Sequence, residues 1–401
     1  NLFILGYFKY FNMLVIIIEQ ILEKNDFQTF FYNILSMRGT GALHFKEVVL
    51  PIGISFFTFQ AMSYVIDVYR GDAKTQKNLF DFGLYVALFP QLIAGPIVRY
   101  MDVAEQINYR RESFIKFTSG IKRFCYGLGK KVILANTFAL VVDNIYTLDL
   151  SKLGVSLAIL LIVSYSLQIY YDFSGYSDMA IGLGLMFGFH FRENFNYPLT
   201  SFSITEFWRR WHISLSTWFK QYVYIPLGGN RNGRKKQLGN LGIVFLLTGI
   251  WHGAAWTFVL WGIWHGFFII MEKVTGLANE TENKLANFFK HIYCILAFVI
   301  GWVIFRADNI KYAWDYVMNM FGLLHLKPEE FLYGMPYYVD RFEIIIFATA
   351  IICSVPLFKN ILKIENKAAR TVLNIWLLVL FVLSSATIAA STYNPFIYFR
   401  F

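Results

Sequence analysis

LGNLGIVFLLTGIWHGAAWTFVLWGIWHGFFIIM, running from Leu238 to Met271, holds 34 residues without an aspartate, glutamate, lysine or arginine. A helix crosses a hydrocarbon core of about 30 Å with about 20 apolar residues, so this stretch is too long for one ordinary span. Its natural break is His252-Gly253. From Leu238 to Trp251 a helix rises about 21 Å, short of a full crossing. His252 is therefore expected below the outer surface, in the interior half of a membrane.

Composition agrees. Of 401 residues 57% are hydrophobic and only 15% charged, against about 25% charged in a soluble domain. Apolar segments that span or dip into a bilayer are expected near 2–18, 48–69, 79–98, 132–147, 154–173, 176–191, 238–271, 292–305, 343–358 and 372–393. Several are short or carry Gly, Pro or ionisable residues, and such breaks survive in a membrane only where protein or a water-filled cavity covers the backbone. The fold class is all-α: a polytopic membrane helix bundle with broken and re-entrant helices, forming one domain over residues 1–401. The lipid bilayer is its first partner.

The net charge of +10 does not point to nucleic acid. Basic residues fall in short clusters between apolar runs, the pattern of the positive-inside rule. That rule puts the basic loop Asn230–Lys236 in the cytoplasm, with a second basic loop at Lys359, Lys363, Lys367 and Arg370. It puts the connection 307–342 and the C-terminus outside. Cys125, Cys294 and Cys353 are far apart and have no metal-ligand spacing. No metal is expected. The first apolar run lacks a charged leader and a small-residue cleavage site, so it is not a signal peptide.

Three constellations carry chemistry. An ionisable group inside a membrane is a functional hypothesis by default, and a neutral imidazole at His252 suits acyl transfer because it can take a proton from an attacking hydroxyl. The alternative is an imidazole bonded to a neighbouring helix. His265 reads as an interfacial or packing residue. Next, Glu206–Phe219 reads as one amphipathic helix, started by a capping box of Ser203 and Glu206. Trp208, Trp211, His212, Leu215, Trp218 and Phe219 lie on its apolar face, where an imidazole is out of place. Lastly, Tyr170–Asp178 sets Asp172 and Asp178 between two apolar runs. They either line a polar cavity or cap a helix beginning near Ser177. Phe89–Pro96 is a further broken segment, followed by Arg99 as a cytoplasmic anchor. No Walker A sequence, Gly-x-Ser-x-Gly elbow or GxGxxG turn is present.

Taken together, Pro51–Gln60, Ala94-Gly95-Pro96, Tyr171–Asp178, Asn194–Pro198, Arg209-Arg210-Trp211-His212, Pro226–Arg231 and Trp251-His252-Gly253 resemble the membrane-bound O-acyltransferase family, in its bacterial polysaccharide O-acetyltransferase branch. The resemblance implies a bundle around a central funnel with a reactive histidine at its floor. His252 matches that histidine and His212 the second one of the branch. Trp251, Trp256, Asp178, Asn196 and Trp208 stand as candidate substrate contacts. It also implies a multi-pass protein of the bacterial cytoplasmic (inner) membrane and further helices ahead of residue 1. The same resemblance implies no bound cofactor, acetyl-CoA as the donor substrate and an extracytoplasmic acetyltransferase as the partner protein. The ending Phe396-Ile397-Tyr398-Phe399-Arg400-Phe401 is similar to a motif whose tyrosine carries acyl groups, which marks Tyr398; the alternative is an aromatic interfacial anchor. In the resulting scheme His252 is the general base and fixed polar groups near His212 stabilise the oxyanion. A secondary transporter or lipid-linked sugar flippase is the rival, since broken helices also mark substrate paths.

Overall fold

The computed structural model describes residues 1–23, 51, 53–150, 153–324, 334–359, 361, 366–391, 393 and 395, and every regular element among them is helical. The first helices are α1 (Leu2–Glu23), α2 (Ile54–Arg70), α3 (Leu79–Ala87), α4 (Tyr100–Tyr109), α5 (Phe114–Gly129) and α6 (Asn136–Tyr146). The centre of the chain forms α7 (Val155–Met186), α8 (Ile204–Arg210), α9 (Ile213–Phe219), α10 (Arg234–His252) and α11 (Trp256–Thr275). The remainder is α12 (Lys284–Arg306), α13 (Ile310–Met320), α14 (Met335–Tyr338), α15 (Arg341–Cys353) and α16 (Lys367–Ala390). Among the described residues five segments are long and apolar enough to cross a membrane: Phe114–Tyr146, α7, α11, α12 and α16. Much of the apolar surface of α16 is uncovered, Val372, Ile375 and Leu378 included, as suits a helix facing lipid.

The main seam joins α5 to α7. Without side chains at Gly127 and Gly175 the two backbones touch: a Cβ on Gly127 would stand 2.6 Å from the carbonyl oxygen of Gly175. Small residues at such a seam let apolar helices pack where no hydrophobic drive exists. Between α5 and α6 the helix widens into a π turn at Lys130–Ala135, and both of its lysines meet carboxylates of α7. Lys130 Nζ lies 2.7 Å from Asp178 and Lys131 Nζ 2.7 Å from Asp172. Arg123 donates to the other oxygen of Asp178 at 2.8 Å.

These pairs explain one departure from the sequence reading. The expected interruption between 173 and 176 is absent, because α7 runs unbroken over 32 residues. Its carboxylates are neutralised in place, so the helix has no reason to open there, and Asp178 caps nothing. Arg99 is likewise no free anchor. It is buried and pairs with Asp102 at 2.8 Å. The Phe89–Pro96 break stands as expected, with non-helical turns between α3 and α4.

The long apolar stretch around His252 is a helical hairpin. α10 ends at His252, Gly253 is extended (φ −176°, ψ 169°), and α11 returns antiparallel. Gly249 and Gly262 form the crossing, where a Cβ on Gly249 would meet the Phe258 carbonyl oxygen at 2.4 Å. Arg234 closes the hairpin by donating to the Val274 carbonyl at 2.9 Å. Both ends therefore lie on one side of the bundle. Tyr146 meets Arg306, Tyr316 meets Ala158 and Tyr393 meets Asp143 at the opposite side. Leu380 of α16 packs on Gly129 and Leu373 clusters with Cys125, so α16 runs alongside α5 and α6. Its first residue, Lys367, shares the end of the bundle that carries the basic loop.

Candidate active site

The expected helix over Glu206–Phe219 is broken in two at the residue that matters. α8 stops at Arg210, α9 begins at Ile213, and His212 between them is left-handed, at φ 45° and ψ 54°. A side chain there strains the backbone, and such strain persists only where surrounding bonds hold it. Here the segment 194–196 does so. Ile213 N donates to the Asn194 carbonyl at 2.9 Å, and Asn196 N to the Arg210 carbonyl at 2.9 Å. The start of α8 is held from another element. Ser203 accepts from Glu206 N at 3.0 Å, while the Glu206 carboxylate turns to Phe202 N instead of closing the box. The buried Glu272 of α11 accepts from Ile204 N at 2.6 Å and Thr205 N at 2.8 Å. A carboxylate at a helix N-terminus is where the helix dipole favours one.

Asn194 decides the state of His212. Its Oδ1 accepts from Ser214 N at 3.1 Å and from Ser214 Oγ at 2.9 Å, and faces His212 Nδ1 at 3.2 Å. A backbone N–H can only donate, so the atom it meets is the carbonyl oxygen of Asn194. His212 Nδ1 must then carry the proton. Nε2 is left with its lone pair, buried and without a hydrogen-bond partner among the described residues.

His252 stands at the C-terminal end of α10 inside an aromatic cage. Ring centroids of Trp251, Trp261 and Phe305 lie 4.8, 4.9 and 5.0 Å from its imidazole. The break leaves the last carbonyls of α10 without helical partners, and side chains of α1 take two of them. Lys9 donates to the Trp251 carbonyl and Tyr10 to that of Ile250. Lys9, an interruption in the sequence of α1, thus has a structural reason. Nothing in the local sequence signals it.

The two histidines, 40 positions apart, line one narrow cavity. Ile169 and Phe173 of α7, Trp208 and Trp211, Leu215, Trp261, Trp302 and Phe305 complete its wall. Of the other candidates, Trp208 lines this cavity, and Trp251 stacks on Phe59 beside it, centroids 5.2 Å apart. The remaining three stand elsewhere. Trp256 is 41% exposed at the start of α11, Asn196 is exposed, and Asp178 sits in its ion cluster with Arg123 and Lys130. Tyr398 lies outside the described residues. His265 is fully buried against Trp208 and Trp261, a packing position and not an interfacial one. Among the described residues, no group of three or more His, Cys, Asp or Glu is placed to hold a metal. What the cavity offers is a desolvated imidazole pair with fixed geometry, fit to move a proton.

Comparison with known proteins leads the same way. Residues 72–313 match the model of the membrane-bound O-acyltransferase family. The chain is 47% identical to the probable alginate O-acetylase of Pseudomonas aeruginosa over 322 residues, 80% of this chain and 59% of that protein. It is 41% identical to the probable alginate O-acetylase of Pseudomonas putida over 417 residues, 100% of this chain and 82% of the relative. It is 34% identical to a peptidoglycan O-acetyltransferase of Helicobacter pylori over 377 residues, 83% of this chain and 66% of the relative.

Proposed function

The chain belongs to the membrane-bound O-acyltransferase family, and from that membership we propose that it moves acetyl from cytoplasmic acetyl-CoA across the membrane for O-acetylation of a cell-surface polysaccharide. With its several apolar helices it is a multi-pass membrane protein, here assigned to the bacterial inner membrane. The observation that carries the reading is the meeting of His212 and His252 in one aromatic cavity. Relatives named for acetylation of alginate and of peptidoglycan support the polysaccharide class.

In this scheme an acceptor hydroxyl attacks the thioester carbonyl and a C–O bond forms. His252 takes the hydroxyl proton as general base. The tetrahedral oxyanion then collapses, the C–S bond breaks, and the thiolate leaves with the proton returned by the imidazolium. His212, neutral and with a bare Nε2, accepts a hydrogen bond; it orients a donor and cannot itself donate to the oxyanion. Tyr398 is the acceptor that hands acetyl to an extracytoplasmic partner, since a phenolic ester keeps a good leaving group (pKa near 10).

Incubating the purified protein with labelled acetyl-CoA, then following free CoA and intact-protein mass, tests the reading. CoA should be released and one acetyl should appear on the protein, at Tyr398. His252→Ala should slow release by about 10²–10⁴, and Tyr398→Phe should abolish the mass increase. A wild-type protein that neither consumes the donor nor gains mass sinks the proposal and favours a transporter.

A further inference from the structure

Acyl transfer through a tetrahedral intermediate needs hydrogen-bond donors aimed at the developing oxyanion. The cavity has none where the sequence pointed. Asn194 Oδ1 and Ser214 bond to each other beside His212, and His212 presents a lone pair. The amide nitrogen of Asn194 lacks an acceptor, but Asn194 is not part of the cavity wall. Indoles do stand on that wall, those of Trp208 and Trp261 among them. The indoles of Trp208 and Trp261 are buried, and neither Nε1–H has a hydrogen-bond partner among the described residues. Indole nitrogen can only donate, and buried indoles ordinarily find an acceptor. Two orphan donors on side chains that line one small cavity therefore make a ligand entering it their candidate acceptor. The rings meet edge to face with centroids 5.6 Å apart, and Trp261 is 4.9 Å from the His252 ring. They also come from separate elements, α8 and α11.

We propose that the Nε1–H groups of Trp208 and Trp261 form the oxyanion hole of this site, which makes both catalytic residues. The inference rests on the acyl-transfer reading above and deepens it. As the acceptor oxygen bonds to the thioester carbon, the carbonyl π pair moves onto oxygen, and the two indole N–H groups take up that charge. When C=O re-forms and C–S breaks, the charge leaves with the thiolate. Against aromatic walls of low polarity neutral donors are effective, because their field is weakly screened.

Trp261→Phe and Trp208→Phe each remove an N–H and keep an aromatic ring. Loss of one oxyanion donor costs about 10²–10³ in turnover, so each variant should lose kcat on that scale while KM for acetyl-CoA stays within about threefold. Replacement of either indole by 3-benzothienylalanine keeps its shape and substitutes sulfur for N–H. It decides the matter should a phenylalanine variant fail to fold. Wild-type kcat in the benzothienyl variants, alongside loss of turnover in His252→Ala, overturns the oxyanion hole and leaves acyl transfer standing. A defect confined to KM overturns it as well. Absence of donor turnover in the wild type overturns both readings together.

Discussion

At the scale of single residues, the telling contact is the one that sets a proton. Asn194 Oδ1 is pinned by the Ser214 amide, and that backbone bond reaches through the carboxamide to leave His212 with a bare Nε2. Asn194→Leu keeps the volume and removes the lock, so the imidazole can rotate or exchange tautomers. A misplacement of about 1 Å in a catalytic group can cost about 10²-fold. Turnover of labelled acetyl-CoA by that variant should fall on this scale, and thermal unfolding in detergent should come at a lower temperature, because the Ser214 amide and hydroxyl lose their acceptor at about 1–3 kcal/mol for a buried donor. His212→Ala combined with His252→Ala should lose less than the product of the single losses, since groups sharing one cavity are not independent; rates that multiply fully would place them in separate steps. Sequence motifs drew attention to Asn196, two residues further along the same run. Its backbone does help hold the break, yet its side chain is exposed. Asn194 earns its place only once the chain has folded back on Ser214.

At the scale of elements, the site is made of two helix breaks. One was legible: 34 residues are too many for a span, and Gly253 is the residue at which α10 stops. The other was not. The spacing of Trp208, Trp211, Leu215 and Trp218 is perfectly helical, and the left-handed His212 inside it is imposed by bonds from 194–196. The hairpin of α10 and α11 gives a direct test of how the breaks are held together. A Cβ on Gly249 would fall 2.4 Å from the Phe258 backbone oxygen, and backbone cannot swing aside as a side chain does. Gly249→Val should therefore separate the helices at about 1–3 kcal/mol and displace His252. Lowered Tm together with lost turnover is expected. Gly239, with nothing near its would-be Cβ, should accept alanine with neither effect.

At the scale of the whole molecule, the ends of the bundle separate by charge. The turn at Asn230–Lys236, the hairpin closure at Arg234 and Val274, and the start of α16 share one end. Tyr146, Arg306 and Tyr393 mark the other. The positive-inside rule makes the first end cytoplasmic. Cysteines placed by Gly233→Cys and Ser391→Cys, after replacement of Cys125, Cys294 and Cys353, should react with an impermeant thiol reagent from opposite sides of sealed vesicles. Labelling of both from the same side would remove the outward route for acetyl.

Sequence alone determined the class of the molecule, an all-α membrane bundle, and the break at His252, and it drew attention to two out-of-place histidines. These follow from local quantities, namely run length, charge and the identity of a few residues, which a chain carries before it folds. Only the tertiary structure decided what those residues face. It brought His212 to His252 across 40 positions, paired Asp178 with Arg123 and Lys130, and capped α8 with Glu272. It also left the indole N–H groups of two cavity-lining tryptophans without acceptors among the described residues. The physical reason is plainest in the ion cluster and the cap. A buried polar group costs free energy until it finds a partner, and in a bundle that partner usually comes from another helix, at a sequence distance no local pattern encodes.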